Sequence, residues 1–228
     1  MALIAENLLR CQQLITQACH RAERDDHEVR LLPISKNIPV DHIRQAIDAG
    51  CHTFGENRIQ EMMAKSQSLP FVAWEMVGHL QRNKVKDACW TMSLLHSLDS
   101  LPLARKLEDV ASQLIMRGPI RVLVEVNTSK ESSKTGIPVD QVLQFTQELA
   151  HFPHLAPSGL MTVAHPDRLK AEEGFAALAQ LRRELQDRDG GGWTELSMGM
   201  TSDFDLAIKH GSTCVRLGTA IFGPRFTG

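Results

Sequence analysis

The feature that most constrains the fold of this chain is a repeated alternation between short apolar runs and stretches of helical periodicity. Turns or polar loops separate the two kinds of segment throughout. The predicted strands span residues 31–35, 51–54, 74–77, 94–97, 120–127, 158–161, 195–198 and 214–217. Strands that alternate with helices in this way favour an α/β fold, a (β/α)8 barrel of the TIM type, although a doubly wound open sheet has the same alternation.

An additional helix is predicted ahead of the first strand. Leu8, Cys11, Ile15 and Ala18 recur three and four residues apart, which is the spacing of one helix face. No later segment has the composition of a linker, and no low-complexity tract interrupts the pattern. We therefore expect residues 1–228 to form a single domain with an extra N-terminal helix.

The charge balance bears on the class of partner. The chain has 25 basic and 27 acidic side chains, for a net charge of −2. A protein that binds nucleic acid through its phosphates needs a basic surface, so nucleic acid is disfavoured and a small ligand is expected. No apolar run approaches the length of a membrane span, and no basic segment precedes the first apolar residues. We expect neither a membrane anchor nor a secretory signal.

The cysteines and histidines give no sign of a disulfide framework or a metal site. The chain has 5 cysteines, an odd number, and none forms a C-x-x-C pair, which favours a reducing cytoplasm. His151 and His154 are separated by Pro153, which breaks any helix between them. His79 is the histidine expected nearest the site, but no second ligand lies at a suitable spacing. We expect no metal.

Lys36 is the first candidate for chemistry. Ligands of (β/α)8 barrels bind at the carboxyl ends of the strands, and Lys36 follows the first strand directly. In the barrel mouth, desolvation would lower the pKa of its amine and free the lone pair for attack on a carbonyl. A solvated surface lysine explains the same position, and on position alone it is the simpler interpretation.

Arg216 and the residues after it suggest a site for an anionic ligand. Arg216 lies inside an apolar run, where a guanidinium requires an acceptor. Gly218 and Thr219 follow at the strand end and offer a backbone amide and a hydroxyl to a phosphate. A structural salt bridge and a tight turn are the alternative explanations.

Two further strand ends carry polar residues. Ser197 begins a loop of small residues, and Ser202 with Asp205 predicts a capping box for the helix that follows. Asn57 follows the second predicted strand and can offer two donors and an acceptor. These residues can orient a ligand or simply cap helices.

Several motifs occur in series and in order. They are ISKNIP, FGENRIQE, GHLQRNK, HSLDS, SKTGI, GLMT, LSMGMTSDF and RLGTAIFG, within residues 31–225. Together they resemble the pyridoxal-phosphate homeostasis protein family. The resemblance implies a single-domain barrel like the amino-terminal domain of alanine racemase, which binds pyridoxal 5′-phosphate (PLP) through an internal imine.

The resemblance also implies roles for individual residues. Lys36 would form the imine, Arg216 would face the pyridine nitrogen, and Asn57 would lie beside the ring. The phosphate would be held by Ser197, Gly218 and Thr219. The chain departs from the family pattern at Asn37-Ile38, at Arg82 and in its last residues, which leaves open any role of a basic carboxyl terminus or of Lys134 as a second PLP site.

The family is understood as a carrier or regulator of PLP supply without a dedicated catalytic reaction, so no catalytic residue is predicted. PLP-dependent apo-enzymes are the expected recipients, and a compact barrel favours a monomer. The alternative is a racemase-like enzyme that uses PLP. A racemase resembling alanine racemase would need a tyrosine as second base, and the chain has 0 tyrosines; it also ends at Gly228, without a second domain.

Overall fold

The computed structural model describes residues 2–114, 118–129, 131 and 134–223. The strands in these ranges are β1 Arg30–Pro33, β2 Thr53–Glu56, β3 Ala73–Met76, β4 Met92–Leu98, β5 Ile120–Asn127, β6 Ile137–Pro138, β7 Leu155–Met161, β8 Glu195–Ser197 and β9 Cys214–Leu217. The helices are α1 Ala2–Arg21, α2 Val40–Asp48, α3 Ile59–Ser68, α4 Val85–Thr91, α5 Leu101–Gln113, α6 Val142–Leu149, α7 Arg168–Asp189, α8 Phe204–Lys209 and α9 Thr219–Phe222. Short 3-10 turns lie at Asp26–Glu28, Arg82–Lys84 and Val139–Gln141.

The main strands form a parallel sheet that closes on itself. Its order is β1-β9-β8-β7-β5-β4-β3-β2, and a bridge between Ile34 and Gly55 joins the two ends. The Ser35 N–H donates to the Gly55 carbonyl at 2.9 Å at the same seam. This closure confirms the predicted (β/α)8 barrel and excludes the open sheet. The short β6, which was not predicted, pairs with β5 off this path.

Several predicted strands have different bounds in the structure, and two of them show the physical reason. The strand expected at 51–54 begins at Thr53, because the turn after α2 extends to Cys51, whose N–H donates to the Ala46 carbonyl at 3.0 Å. The strand expected at 158–161 begins at Leu155, which pairs with Ile120 of β5. The turn after α2 therefore set the first boundary, and pairing with β5 set the second.

Alternate residues of the strands face the helices and the barrel axis. In β3, Trp74 and Met76 belong to the main apolar core between sheet and helices. Glu75, between them, is buried and its carboxylate lies 2.7 Å from His96 Nε2 of β4. A separate apolar cluster consists of Leu94, Leu123 and Met161. The strand alternation thus gives the barrel a partly polar interior.

The predicted N-terminal helix is present as α1 and packs against the last part of the chain. Its apolar face is buried, with Leu8 2% and Ile15 4% exposed. The Asn7 amide donates to the Ile221 carbonyl at 2.9 Å, and Arg24, just after α1, donates to the Ile208 carbonyl of α8 at 2.8 Å. Among the described residues, none of the helices combines the length and apolarity that crossing a bilayer requires. The packing of α1 therefore supports the segments that follow β8 and β9.

Candidate functional site

A cavity of about 380 Å³ opens at the carboxyl ends of the barrel strands. This volume suits a small organic ligand. The residues that line it are Ile34, Lys36, Ile38, Asn57, Val77, Val163, Met200, Thr201, Ser202, Arg216, Gly218, Thr219 and Gly223. Of the site residues predicted from the sequence, Lys36, Asn57, Arg216, Gly218 and Thr219 lie in this lining, so the fold brings together segments that are far apart in the chain.

Lys36 lies in a tight turn after β1, with its side chain partly buried in the cavity wall. Asn37 next to it has a φ of 58°, a left-handed conformation that asparagine tolerates better than most residues. The Asn37 N–H donates to Glu61 Oε1 at 2.6 Å, and the Ile38 N–H donates to the Ser35 carbonyl at 2.9 Å. Hydrogen bonds on both sides therefore fix the backbone of Lys36.

A buried ionic cluster that the sequence analysis missed lies behind this turn. We call Lys65, Glu56 and Glu61 the α3 cluster. Lys65 Nζ donates to Glu56 Oε1 at 2.5 Å, to Glu61 Oε1 at 2.7 Å and to the Ser35 carbonyl at 2.6 Å. Burial raises the pKa of Glu56, and the nearby Lys65 charge offsets this only in part. The cluster joins α3 to the turn that carries Lys36.

Arg216 is buried at the end of β9 and makes hydrogen bonds on the side away from the cavity. Its Nη1 donates to the carbonyl and to the Oγ of Ser197, both at 2.7 Å, and its Nη2 donates to the Thr162 carbonyl at 2.7 Å. Burial lowers the pKa of Arg216, yet a guanidinium keeps its proton at neutral pH. Among the described residues these contacts leave the Nε–H and one Nη2–H for a ligand in the cavity.

Ser197 is placed differently from the expectation. Its side chain is fully buried at the end of β8 and does not belong to the cavity lining. Strand alternation turns it toward the barrel axis, where Oγ accepts from Arg216 and lies 2.9 Å from His96 Nδ1. Ser197 therefore holds Arg216 from the barrel interior, and its direct contact with a phosphate stays a prediction.

Hydroxyl groups from the segments that follow β8 and β9 also line the cavity. Thr219 follows β9, and Thr201 and Ser202 follow β8. The predicted capping box is wrong, because Asp203 is the N-cap residue of α8 and its Oδ1 accepts from the Met200 N–H at 2.6 Å. Ser202 thus lines the cavity, and the two loops offer three hydroxyls to an anion.

Gly199 shapes the loop after β8, and its replacement provides a test of this geometry. Its φ is 98°, and an added Cβ would lie 2.7 Å from the Cβ of Ala207 and 3.0 Å from the Cα of Phe204. We expect Gly199→Ala to lower the free energy of unfolding by about 2–4 kcal/mol, from left-handed strain and overpacking together.

The matched control for this prediction is Gly192→Ala. Gly192 also has a positive φ, 94°, but an added Cβ would meet nothing within 4 Å. We expect the control to cost about 1–2 kcal/mol, from backbone strain alone. Urea denaturation of both variants measures the difference, and equal losses would mean that the loop after β8 is not tightly packed against α8.

Asn57 enters the cavity where two of the sequence motifs meet. It follows β2, and its N–H donates to Glu56 Oε2 at 3.0 Å. An added Cβ on Gly78, which follows β3, would lie 2.3 Å from the Asn57 carbonyl oxygen, so only glycine permits this approach. His79 points elsewhere, since its Nδ1 lies 2.8 Å from Asp99 Oδ2 and the residue does not line the cavity. The glycine of the GHLQRNK motif therefore leaves room for Asn57 of the FGENRIQE motif, which lines the cavity.

Lys134 also lies outside the lining of the cavity. Its Nζ donates to the Ala164 carbonyl at 3.2 Å and forms an ion pair of 2.7 Å with Glu131. These contacts tie Lys134, whose role as a second PLP site the sequence left open, to its own loop and to the segment after β7. The carboxyl-terminal residues 224–228, whose role the sequence left open, lie outside the described residues.

Comparison with known proteins agrees with this geometry. Residues 19–225 match the family model described as alanine racemase, N-terminal domain. The pyridoxal phosphate homeostasis protein of Pasteurella multocida is 37% identical over 97% of this chain and 97% of its own length. The corresponding protein of Aquifex aeolicus is 36% identical over 96% of this chain and 97% of its own.

Solved structures extend the comparison to the fold. The structure of PipY from Synechococcus elongatus with PLP bound has a TM-score of 0.82 and 32% identity, and covers 96% of this chain and 100% of PipY. PipY without PLP gives a TM-score of 0.86 over the same shares of both chains. With this barrel and this identity over nearly its whole length, the chain belongs to the pyridoxal phosphate homeostasis protein family.

Proposed function

We propose that this protein binds PLP in the cavity at the carboxyl end of the barrel and acts in PLP homeostasis, as a reversible carrier or buffer of the cofactor. Membership of the family and the PLP-bound structure of the relative PipY support this function. The observation that carries it is the composition of the cavity, where the amine of Lys36, the guanidinium of Arg216 and two hydroxyl-bearing loops line one space.

The residues present fit the chemical groups of PLP. When bound, PLP supplies an aldehyde that condenses with a primary amine and releases one water. Lys36 lines the cavity and carries the primary amine. Arg216 can donate to the ring nitrogen, and Asn57 can orient the ring substituents. The phosphate fits Gly218 and the hydroxyls of Thr201, Ser202 and Thr219.

The same residues favour a carrier over an enzyme. Arg216 has donors only, so opposite the pyridine nitrogen it stabilises a neutral ring, which is a poor electron sink. Among the described residues, Lys36 and Arg216 are the ionisable side chains that line the cavity, and Arg216 does not act as a base. A racemase needs a second base on the other face of the substrate, and the chain has 0 tyrosines.

The experiment that tests this function measures delivery of PLP. The protein loaded with one equivalent of PLP is mixed with the apo-form of a PLP-dependent enzyme, and recovery of that enzyme's activity is followed. Recovery at a rate that rises with apo-enzyme concentration indicates direct transfer, and a constant rate indicates release into solution first. Both results support a carrier or buffer.

Two results would contradict the proposal. A protein that takes up no PLP at micromolar concentrations would remove its basis. Rapid racemisation or deamination of any single L-amino acid by the loaded protein would favour the racemase-like enzyme. We expect neither, because the second base is missing from the cavity lining among the described residues.

A further inference from the structure

A continuous set of hydrogen bonds runs along the inside of the barrel, from the cavity toward the opposite end. We call Arg216, Ser197, His96, Glu75 and Arg30 the interior chain. Ser197 Oγ lies 2.7 Å from Arg216 Nη1 and 2.9 Å from His96 Nδ1. His96 Nε2 lies 2.7 Å from Glu75 Oε2, and Arg30 donates to Glu75 at 3.0 Å. His96 and Ser197 are fully buried, so water is excluded from the centre of the interior chain.

The far end of the interior chain fixes the direction of its hydrogen bonds. Burial raises the pKa of Glu75, but the hydrogen bond from His96 and the charge of Arg30 outweigh burial and lower that pKa overall. Glu75 is therefore an ionised acceptor, and His96 Nε2 carries the proton between them.

The ionised state of Glu75 in turn sets the donor and acceptor roles of the residues nearer the cavity. Burial lowers the pKa of His96, so its ring is neutral and its Nδ1 is an acceptor. The Ser197 hydroxyl accordingly donates to His96 Nδ1, which leaves its lone pairs to accept from Arg216 Nη1. The donors of Arg216, Ser197 and His96 therefore point away from the cavity, while Arg30 donates to Glu75 from the far end. Arg216 is held by three acceptors on the side away from the cavity.

We infer that His96 and Glu75 are positioning residues for the ring nitrogen of the bound cofactor. They orient the Ser197 hydroxyl so that it accepts from Arg216, and this holds the remaining donors of Arg216 toward the cavity. The inference rests on the proposed function. Neither residue lines the cavity, so both act through Arg216.

Loss of His96 would reverse part of this arrangement. Without the imidazole acceptor, the Ser197 hydroxyl proton can rotate toward the guanidinium, which places two donors against one another. Arg216 would then keep its two carbonyl acceptors, on Ser197 and Thr162, and lose the third contact that fixes its plane. A polar core that serves stability alone would not make this effect specific to the ring nitrogen.

The test compares PLP with its analogue in which the ring nitrogen is replaced by C–H. The dissociation constants of both ligands are measured for the wild type, for His96→Leu and for Leu123→Ala, a buried control in the separate apolar cluster inside the same sheet. We expect the wild type to prefer PLP about tenfold, the gain from one hydrogen bond. His96→Leu should reduce this preference to about twofold or less, and Leu123→Ala should leave it unchanged.

Two results would overturn the inference while leaving PLP binding intact. These are a His96→Leu variant that keeps the wild-type preference and a wild type that binds both ligands equally well. If His96→Leu does not fold, Ser197→Ala serves in its place, because it removes the hydroxyl oxygen that accepts from Arg216. The same two results would then overturn the inference. A wild type that binds neither ligand would contradict the proposed function instead.

Discussion

Replacement of Lys36 by alanine is expected to abolish the covalent attachment of PLP and the visible absorbance that accompanies it. Alanine has no amine to condense with the aldehyde, while the phosphate and ring contacts of the cavity remain. Only weaker, non-covalent binding should persist. Absorbance spectroscopy after mixing with one equivalent of PLP and removal of free ligand measures the loss directly.

The control for this prediction is Lys170→Ala, which removes an exposed lysine near the start of α7. This variant should keep the wild-type spectrum, because Lys170 does not line the cavity. A Lys36→Ala protein that retains the wild-type absorbance would show that another amine holds the cofactor. It would also favour a different placement of PLP in the barrel.

Replacement of Lys65 by methionine is expected to produce the largest loss of stability among these variants. Methionine preserves much of the side-chain volume but leaves Glu56, which is fully buried, and Glu61 without their cation. Breaking a buried ion pair by removing one partner costs about 3–5 kcal/mol. Urea denaturation of the wild type and the variant measures the change in the free energy of unfolding.

The same substitution at Lys170 again provides the control, with an expected change within about 0.5 kcal/mol. The Lys65→Met variant should also attach PLP less completely, because Lys65 Nζ donates to the Ser35 carbonyl next to Lys36. A loss of less than about 1 kcal/mol would mean that the α3 cluster is solvated and contributes no more than a surface ion pair.

The sequence predicted the barrel because the evidence for it is local. Apolar runs and helical spacing depend on neighbouring residues, and the eight predicted strands all occur in the structure. Lys36, Arg216, Gly218 and Thr219 were predictable because each lies at or within a strand end, and strand ends meet at one rim of a barrel.

The remaining parts of the site depend on contacts between distant segments. Glu61 and Lys65 are four residues apart in a helix, a spacing that is typical of exposed ion pairs, so no local pattern indicated that Lys65 is buried behind β1. His96 lies in an apolar strand, and its partners are Glu75 and Ser197 of other strands. Ser197 was expected to contact the phosphate because it lies at a strand end. Its inward direction was not predictable, since it depends on the register of β8 with the neighbouring strands.

The most direct test of the central claim is to map where PLP attaches. The wild-type protein is mixed with one equivalent of PLP, reduced with borohydride, digested with a protease and analysed by mass spectrometry. We predict one modified peptide, with the added mass of reduced PLP on Lys36. A modification found at another lysine, or no modification on any peptide, would contradict the account.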